Sequence, residues 1–372
     1  SHKMGVVGHS FGVLAGNPHW RARAGGSRGQ PGYDQEHNAS NLIVVDGLGT
    51  GGYATVLKAE NKITKEKFAL KVMFKAKMAT SRDRKRVLGE LKVLAELSTV
   101  KSPFLMASRG AFETVNEVYI ILDSIDGGDL FFHLVQCVNK TGGGFKEDEA
   151  RVLLAELTLA VQHMHSAGFL HRDIKVENVM VDANGHVKLV DFGLACAFDA
   201  EEMPLSPMGS LIYMAPELLT HNVGGRHTDW WAMGILAHEL MTSRTPWSSL
   251  DEKQIIKQEI QKARVMPPRR LSVRAGMFIA RLLTHDPKKR LGSANDQDVC
   301  AAPLFKYVDW EAMARGETEP AFKPAAVNSD PKDREAALEM YLNGASRFEA
   351  THDWSCGLHQ IDARPKFVPC TG

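Results

Sequence analysis

The sequence predicts an α+β fold in two lobes: a small β-rich lobe with one main helix, then a larger, mainly helical lobe. Three observations carry this expectation. Short β-branched runs concentrate in residues 42–122, and helical periodicity dominates beyond about residue 147. Between them the apolar run 118–122 breaks at Asp123 to Asp126 and then Gly127-Gly128, a natural lobe boundary. With 372 residues the chain can bury a large core and still carry extensions.

Composition narrows the function classes. Lys plus Arg number 45 against 44 Asp plus Glu, so there is no basic excess of the kind that marks nucleic-acid binding. No apolar run approaches the ~18 residues that span a bilayer, so no transmembrane segment is expected. The five cysteines are scattered without a CxxC, which fits a reducing, intracellular and cytoplasmic setting.

Residues 1–41 are rich in Gly, Arg, His and Ser and read as a flexible extension. Leu42-Ile43-Val44-Val45 starts a strand that leads into Leu48-Gly49-Thr50-Gly51-Gly52-Tyr53-Ala54-Thr55-Val56. Small residues there let backbone N–H groups approach phosphate oxygens without Cβ clashes, although hairpins use glycine too. Phe68-Ala69-Leu70-Lys71-Val72 follows as a strand with one inward lysine, which needs an anion if buried. Val87, Leu91, Leu94 and Leu97 recur at helical spacing, and Glu90 beside that stripe is the candidate partner for Lys71.

Residues 147–166 give the clearest helix, with Ala150, Leu153, Leu154, Leu157, Val161 and Met164 on one face and an acidic first turn. Next comes His171-Arg172-Asp173-Ile174-Lys175-Val176-Glu177-Asn178, which gathers a base, cations and a carboxamide in eight residues. Asn184-Gly185 between two β-branched runs predicts a hairpin that brings Asn178 and Asp191 to one site. An acid to take a proton, a lysine against phosphate charge, and Asn plus Asp oxygens for Mg²⁺ are what phosphoryl transfer needs.

Taken in order, these motifs resemble the eukaryotic protein kinases over residues 42–308. Met214-Ala215-Pro216-Glu217 resembles the family's Ala-Pro-Glu segment, with Arg290 where its ion-pair partner is expected. Asp229-Trp230-Trp231 resembles the start of the helix that anchors the catalytic loop. The resemblance implies an ATP site built from Leu48, Gly49, Thr50, Gly51, Gly52, Tyr53, Ala54, Val56, Ala69 and Lys71. Leu122, Asp123, Ile125, Met180 and Val190 complete it on the adenine side. It implies Glu90 holding Lys71, Asp173 as the catalytic base, Lys175 on the γ-phosphate, and Asn178 and Asp191 as Mg²⁺ ligands. Lys175 and Ser210 are similar to the serine/threonine class. Asp286-Pro287-Lys288-Lys289-Arg290-Leu291-Gly292 and Pro320-Ala321-Phe322-Lys323-Pro324 are similar to the AGC group, which contains the cyclic-nucleotide-dependent kinases. The implied organisation is an extension (1–41), an N-lobe (42–122), a hinge and C-lobe (123–308), and a tail returning to the N-lobe (309–372).

The resemblance also sets expectations for substrate and control. Asp129, Glu177 and Glu239 match positions that read arginine before the phosphoacceptor, and a protein or peptide is the expected substrate. Ser206 stands at the activation-loop phosphoresidue, with Arg172 and Arg86 as its clamp. Second-messenger control would need a separate regulatory subunit. The competing reading is a catalytically weak, kinase-like allosteric scaffold. Two departures stand out: Ala54 replaces the third glycine of the phosphate loop, and Val176 replaces the usual proline of the catalytic loop.

Overall fold

Strict alternation along residues 54–61, where every second side chain is buried, makes this stretch a strand with one face on a core. In the computed structural model it is β2 (Ala54–Asn61), flanked by β1 (Leu42–Thr50) and β3 (Lys67–Phe74). The structure describes residues 41–339 except 52–53, 79, 200–201, 251, 263–264, 267, 325–330, 333–334 and 337, and beyond these only 359–360 and 366–367. Residues 1–40 of the predicted extension, and the phosphate-loop residues Gly52 and Tyr53, therefore lie outside the described residues. Two units emerge: Ser1–Lys77 with Arg109–Ile121 and Ala336–Gly372, and Met78–Ser108 with Leu122–Glu335.

In the first unit β4 (Ser108–Glu113) and β5 (Glu117–Asp123) complete a central sheet in the order β4-β5-β3-β2-β1. Leu57 faces Leu70 and Ala59 faces Phe68 across the β2–β3 pair, and these join Leu42, Val44, Val72, Phe74, Phe112, Tyr119 and Ile121 in one core. The opposite face carries a different row. Gly49 pairs with Val56, and Val56 with Lys71, so the three sit in line across three strands. Lys71 is half-buried; among the described residues the fully buried lysine is Lys75, whose Nζ lies 2.9 Å from Glu113 and 2.8 Å from the Thr114 carbonyl.

In the second unit the 3.6-residue stripe becomes α1 (Ser81–Val100), opened by a Thr80–Asp83 capping box and burying Val87, Leu91, Leu94 and Leu97. Then follow α2 (Leu130–Thr141) and α3 (Glu147–Ser166), the latter over the predicted span and buried along most of its length. β6 (Phe169–Leu170) pairs with β9 (Cys196–Ala197), and β7 (Val179–Val181) with β8 (Val187–Leu189). β10 (Met203–Pro204) pairs with β11 (Val223–Gly224) on either side of α4 (Pro216–Thr220). The central helix α5 (Arg226–Thr242) buries 15 of its 17 residues, so its low amphipathicity reflects enclosure on all sides. α6 (Lys253–Lys262) and α7 (Val273–Leu282) follow, then the short α8 (Gln297–Cys300) and α9 (Trp310–Ala314).

Two features lock this unit together. Arg290 donates to both Glu217 oxygens of α4, at 2.6 and 2.9 Å, and to the His227 carbonyl of α5 at 2.8 Å, beneath the face of Trp231, so this buried guanidinium joins the two helices. The start of the tail docks as well: Phe322 stacks on Phe145 and packs against His133. Gly185, at φ 102°, allows this, because a Cβ there would fall 2.0 Å from the Phe322 carbonyl oxygen. The hairpin glycine thus serves both the turn and the tail. Residues 331–332, 335–336 and 338–339 are helical. Two short strands, β12 (His359–Gln360) and β13 (Lys366–Phe367), join the sheet of the first unit.

Candidate active site

The loop after β6 is shaped from beneath by one carboxylate. Asp229, at the start of α5 and 1 % exposed, accepts the backbone N–H groups of His171 and Arg172, both at 2.9 Å. That grip holds Arg172 at φ 72°, a conformation a non-glycine residue adopts only when its surroundings impose it. The third bond to Asp229 comes from His165 Nε2 at 3.0 Å, and His165 Nδ1 lies 3.1 Å from Asp296. Burial alone would strip the His165 proton, but the two carboxylates reverse this and raise its pKa. His171 Nε2 lies 3.0 Å from the Val190 carbonyl, its Nδ1 accepts from Asp173 N, and its ring meets Phe192 edge-on.

Above this base sit the groups singled out from sequence. Asp173 Oδ2 accepts from Lys175 Nζ at 2.7 Å and from Asn178 Nδ2 at 2.9 Å. Its other oxygen accepts from Ser210 N at 3.0 Å and from the Ser210 hydroxyl at 3.2 Å. Lys175 Nζ also reaches Ser210 Oγ at 3.0 Å. A serine hydroxyl is thereby held between the carboxylate and the ammonium. Gly209 was not singled out from sequence, yet it makes this approach possible: at φ 98°, a Cβ would lie 2.7 Å from the Arg172 carbonyl and 3.0 Å from Asp173 Oδ1. Its only signal in the sequence is its place immediately before Ser210.

The Asn184-Gly185 hairpin forms as predicted, with Asp182 Oδ1 accepting three successive backbone N–H groups. At its open end Val190 N donates to the Asn178 carbonyl, which places Asn178 beside the strand that leads to Asp191. Asp191 is exposed and held at φ 62°. Since Asn178 spends its NH₂ on Asp173, its carbonyl oxygen is turned the other way. An amide oxygen and a carboxylate are hard donors suited to Mg²⁺ that keeps phosphate oxygens as further ligands. Glu90 and Asp191 both approach Gly193: a Cβ there would sit 3.2 Å from Asp191 Oδ1 and 3.6 Å from Glu90 Oε2. Leu122, Asp123, Ile125, Met180 and Val190 are each half-buried.

In the first unit neither Gly49 nor Gly51 is required by backbone angle or packing. Among the described residues, a Cβ at Gly49 would meet nothing within 4 Å, and at Gly51 the Ala54 carbonyl at 3.8 Å. Packing among the described residues does not require glycine at either position. Ala54 opens β2 and is not among the described residues with positive φ, so its methyl is tolerated without strain.

Of the three proposed arginine readers, two share a cluster. Tyr213 donates a very short hydrogen bond to Glu239. Burial pushes the Glu239 carboxyl up to about 7, and the nearby Glu177 carboxylate adds to the rise. Asp129 instead caps α2, accepting from Phe132 N at 2.7 Å. Arg172 Nη2 donates to the Ser206 carbonyl at 3.0 Å, and Arg82 reaches Met208 Sδ at 3.5 Å, while Arg86 stands exposed on α1. Burial raises the pKa of Cys196 despite Arg172 beside it. Val176 is 1 % exposed and fills core space at the start of a 3₁₀ turn.

Residues 42–305 match the protein kinase domain. Serine/threonine-protein kinase AtPK2/AtPK19 of Arabidopsis thaliana is 36% identical over 280 residues, 75% of this chain and 57% of that protein. Ribosomal protein S6 kinase alpha-2 of Homo sapiens is 37% identical over 297 residues, 78% of this chain and 39% of that protein. Serine/threonine-protein kinase SCH9 of Saccharomyces cerevisiae is 34% identical over 305 residues, 80% of this chain and 36% of that protein. The chain thus spans less than two thirds of the length of these curated relatives.

Proposed function

Because the chain belongs to the protein kinase family, in its serine/threonine class and AGC group, we propose that it transfers the γ-phosphate of MgATP to Ser or Thr of protein substrates, favouring sites that contain arginine. The observation that carries this is the Ser210 hydroxyl lying between Asp173 and Lys175, since an acceptor hydroxyl needs both groups at hydrogen-bond distance. Asp173 takes the hydroxyl proton as the oxygen attacks, and Lys175 offsets charge on the transferring phosphoryl group. Gly49, Gly51 and Val56 present backbone to the phosphates, and Lys71 adds its ammonium. Leu122, Met180 and Val190 offer apolar surface to the base, with the backbone at Asp123 and Ile125 for its polar edge. Asn178 and Asp191 would hold Mg²⁺, which neutralises phosphate charge when bound. Among the described residues no helix is long and apolar enough to cross a membrane.

Arginine preference rests on Glu177 and Glu239, which form an acidic pair without a basic residue among the groups that set the Glu239 pKa. Because Glu239 ionises near 7, it offers little charge at pH 6 and nearly full charge at pH 8. The KM of an Arg-containing peptide should therefore fall about ten-fold between those values, following the ionised fraction. Glu239→Gln should flatten that trend. Labelled ATP with matched Arg-rich and Arg-free peptides tests both points: no transfer to either peptide overturns the kinase reading, and equal KM values overturn only the arginine preference. The same assay separates this function from a kinase-like scaffold, which would bind ATP without turnover.

Ser206 is exposed, and its carbonyl already rests on Arg172. A phosphate there would add charge-assisted bonds to guanidinium groups and tie the activation segment to the catalytic loop. Phosphatase treatment should lower kcat in step with loss of Ser206 phosphate. Full activity of protein shown by mass spectrometry to be unmodified at Ser206 would reject the requirement.

A further inference from the structure

Charge is unevenly spread along this chain. Residues 260–285 hold six Lys or Arg and no Asp or Glu, although the whole chain holds 45 and 44. The stretch includes α7, whose Ala275, Phe278, Ile279 and Leu282 face inward. Phe278 meets Phe305 edge-on, with ring centroids 5.0 Å apart. That contact seats the helix beside the turn 303–305, so the residues just after the turn lie along its flank.

A helix whose outer side meets only water carries polar residues there. Here Val273 is 78 % exposed and Met277 48 %, one turn apart, with Arg274 and Arg281 exposed beside them. Tyr307, 72 % exposed, extends the same surface: Arg274 lies 5.8 Å from its ring centroid and Lys306 5.4 Å. Single exposed apolar side chains are ordinary, but three that adjoin and are edged by three cations mark a contact surface. Two carboxylates at its margins are already engaged. Glu147 accepts from the Ser272 hydroxyl at 2.6 Å, and Asp309 caps α9 by accepting from Ala312 N.

We propose that this face, made by Val273, Arg274, Met277 and Arg281 with Lys306 and Tyr307, docks on an anionic lipid surface. Charge complementarity sets the sign of the occupant, and shape separates lipid from protein. The outer side of a single helix is convex and offers no groove to an acidic peptide. Six residues are also few beside the roughly 20–30 that each side of a standard protein interface supplies. A bilayer contact needs neither groove nor large area. Val273 and Met277 enter the acyl boundary, and Tyr307 sits at headgroup level. The three cations meet lipid headgroups while their stems lie along apolar surface. Attachment of this kind is peripheral and reversible, and it does not depend on the proposed phosphoryl transfer.

Sedimentation of the full chain with lipid vesicles tests it. Phosphatidylcholine vesicles with about 30 % phosphatidylserine should bind at least ~10-fold more tightly than pure phosphatidylcholine at low salt, and the difference should vanish near about 0.5 M salt. Each cation near such a surface multiplies affinity by about five-fold. Arg274→Glu with Lys306→Glu should therefore weaken binding by roughly 25-fold or more. The same reversal at two exposed lysines elsewhere, Lys140→Glu with Lys253→Glu, should leave it nearly unchanged. Met277→Ser with Tyr307→Ser should weaken it several-fold without altering its salt dependence. All of these positions are exposed, and an unmoved thermal midpoint shows that each variant folds. Equal binding to the two kinds of vesicle, or equal losses in the two charge-reversed proteins, overturns the proposal. So does a chain that binds polyglutamate as tightly as anionic vesicles and is indifferent to Met277→Ser and Tyr307→Ser, because the face is then a plain cation site for acidic protein.

Discussion

Asp173→Asn should lower kcat for peptide phosphorylation by about 10²–10⁴-fold while ATP binding stays close to the wild-type level. The substitution keeps the shape of the side chain and its backbone setting, so Ser210 N and Lys175 can still find an oxygen. It removes the negative charge and the basicity, which are what the acceptor hydroxyl needs. Lys175 loses the carboxylate that holds its Nζ at 2.7 Å, and Asn178 Nδ2 then faces either an oxygen or a second NH₂ group. Because Asp173 and Lys175 grip the same hydroxyl, their losses should not add: Asp173→Asn in a Lys175→Ala background should cost much less than in the wild type. Calorimetry with a non-hydrolysable ATP analogue, beside single-turnover kinetics, checks both halves. A variant that retains turnover would remove Asp173 from the role of base.

The elements that position Asp173 were legible for uneven reasons. Helix 147–166 and the Asn184-Gly185 hairpin carry their own signals, because periodicity and turn chemistry are local. Lys175, Asn178 and Asp191 were singled out because phosphoryl transfer restricts the residue types it can use, and the structure brings Lys175 and Asn178 onto Asp173. Local reading failed where one residue answers to a distant one. Gly209 looks like any loop glycine until the Arg172 carbonyl is found where its Cβ would be. Lys71 stood out as the lysine in a strand, yet the most buried lysine among the described residues is Lys75, and its partner Glu113 lies 38 residues away. Glu239 was named as a reader of arginine, but nothing in its neighbourhood in the chain announces Tyr213 as the hydroxyl that binds it. The tail strands have so little intrinsic pattern that only the borders they cover explain them.

His165→Gln should weaken the dependence of stability on pH above 6.5, and it should also loosen the catalytic loop. His165 is 4 % exposed, and its ring nitrogens face Asp229 and Asp296. A histidine whose folded pKa is raised contributes its full stabilisation below the unfolded value of 6.5 and loses it as pH climbs through the folded pKa. Asp229 has the opposite sign: burial pushes its pKa up, but His165 and the loop N–H groups pull it below 3.8. Its contribution is therefore present above that value and lost as pH falls through the lowered one. The network is complete only between these limits, and His165 sets the alkaline side. His165 adds to the decline of the wild-type urea midpoint as pH rises above 6.5, whereas the midpoint of His165→Gln should start lower and decline less steeply. The deficit at pH 6 should be roughly 3–5 kcal/mol, the usual cost of leaving buried charge without its partner. Since Asp229 also holds the N–H groups of His171 and Arg172, the variant should lose kcat while KM for ATP is little changed. An unchanged pH slope in His165→Gln would place the titrating group elsewhere. Intact kcat beside a flattened slope would mean that the backbone bonds to Asp229 hold the loop without help from the imidazolium.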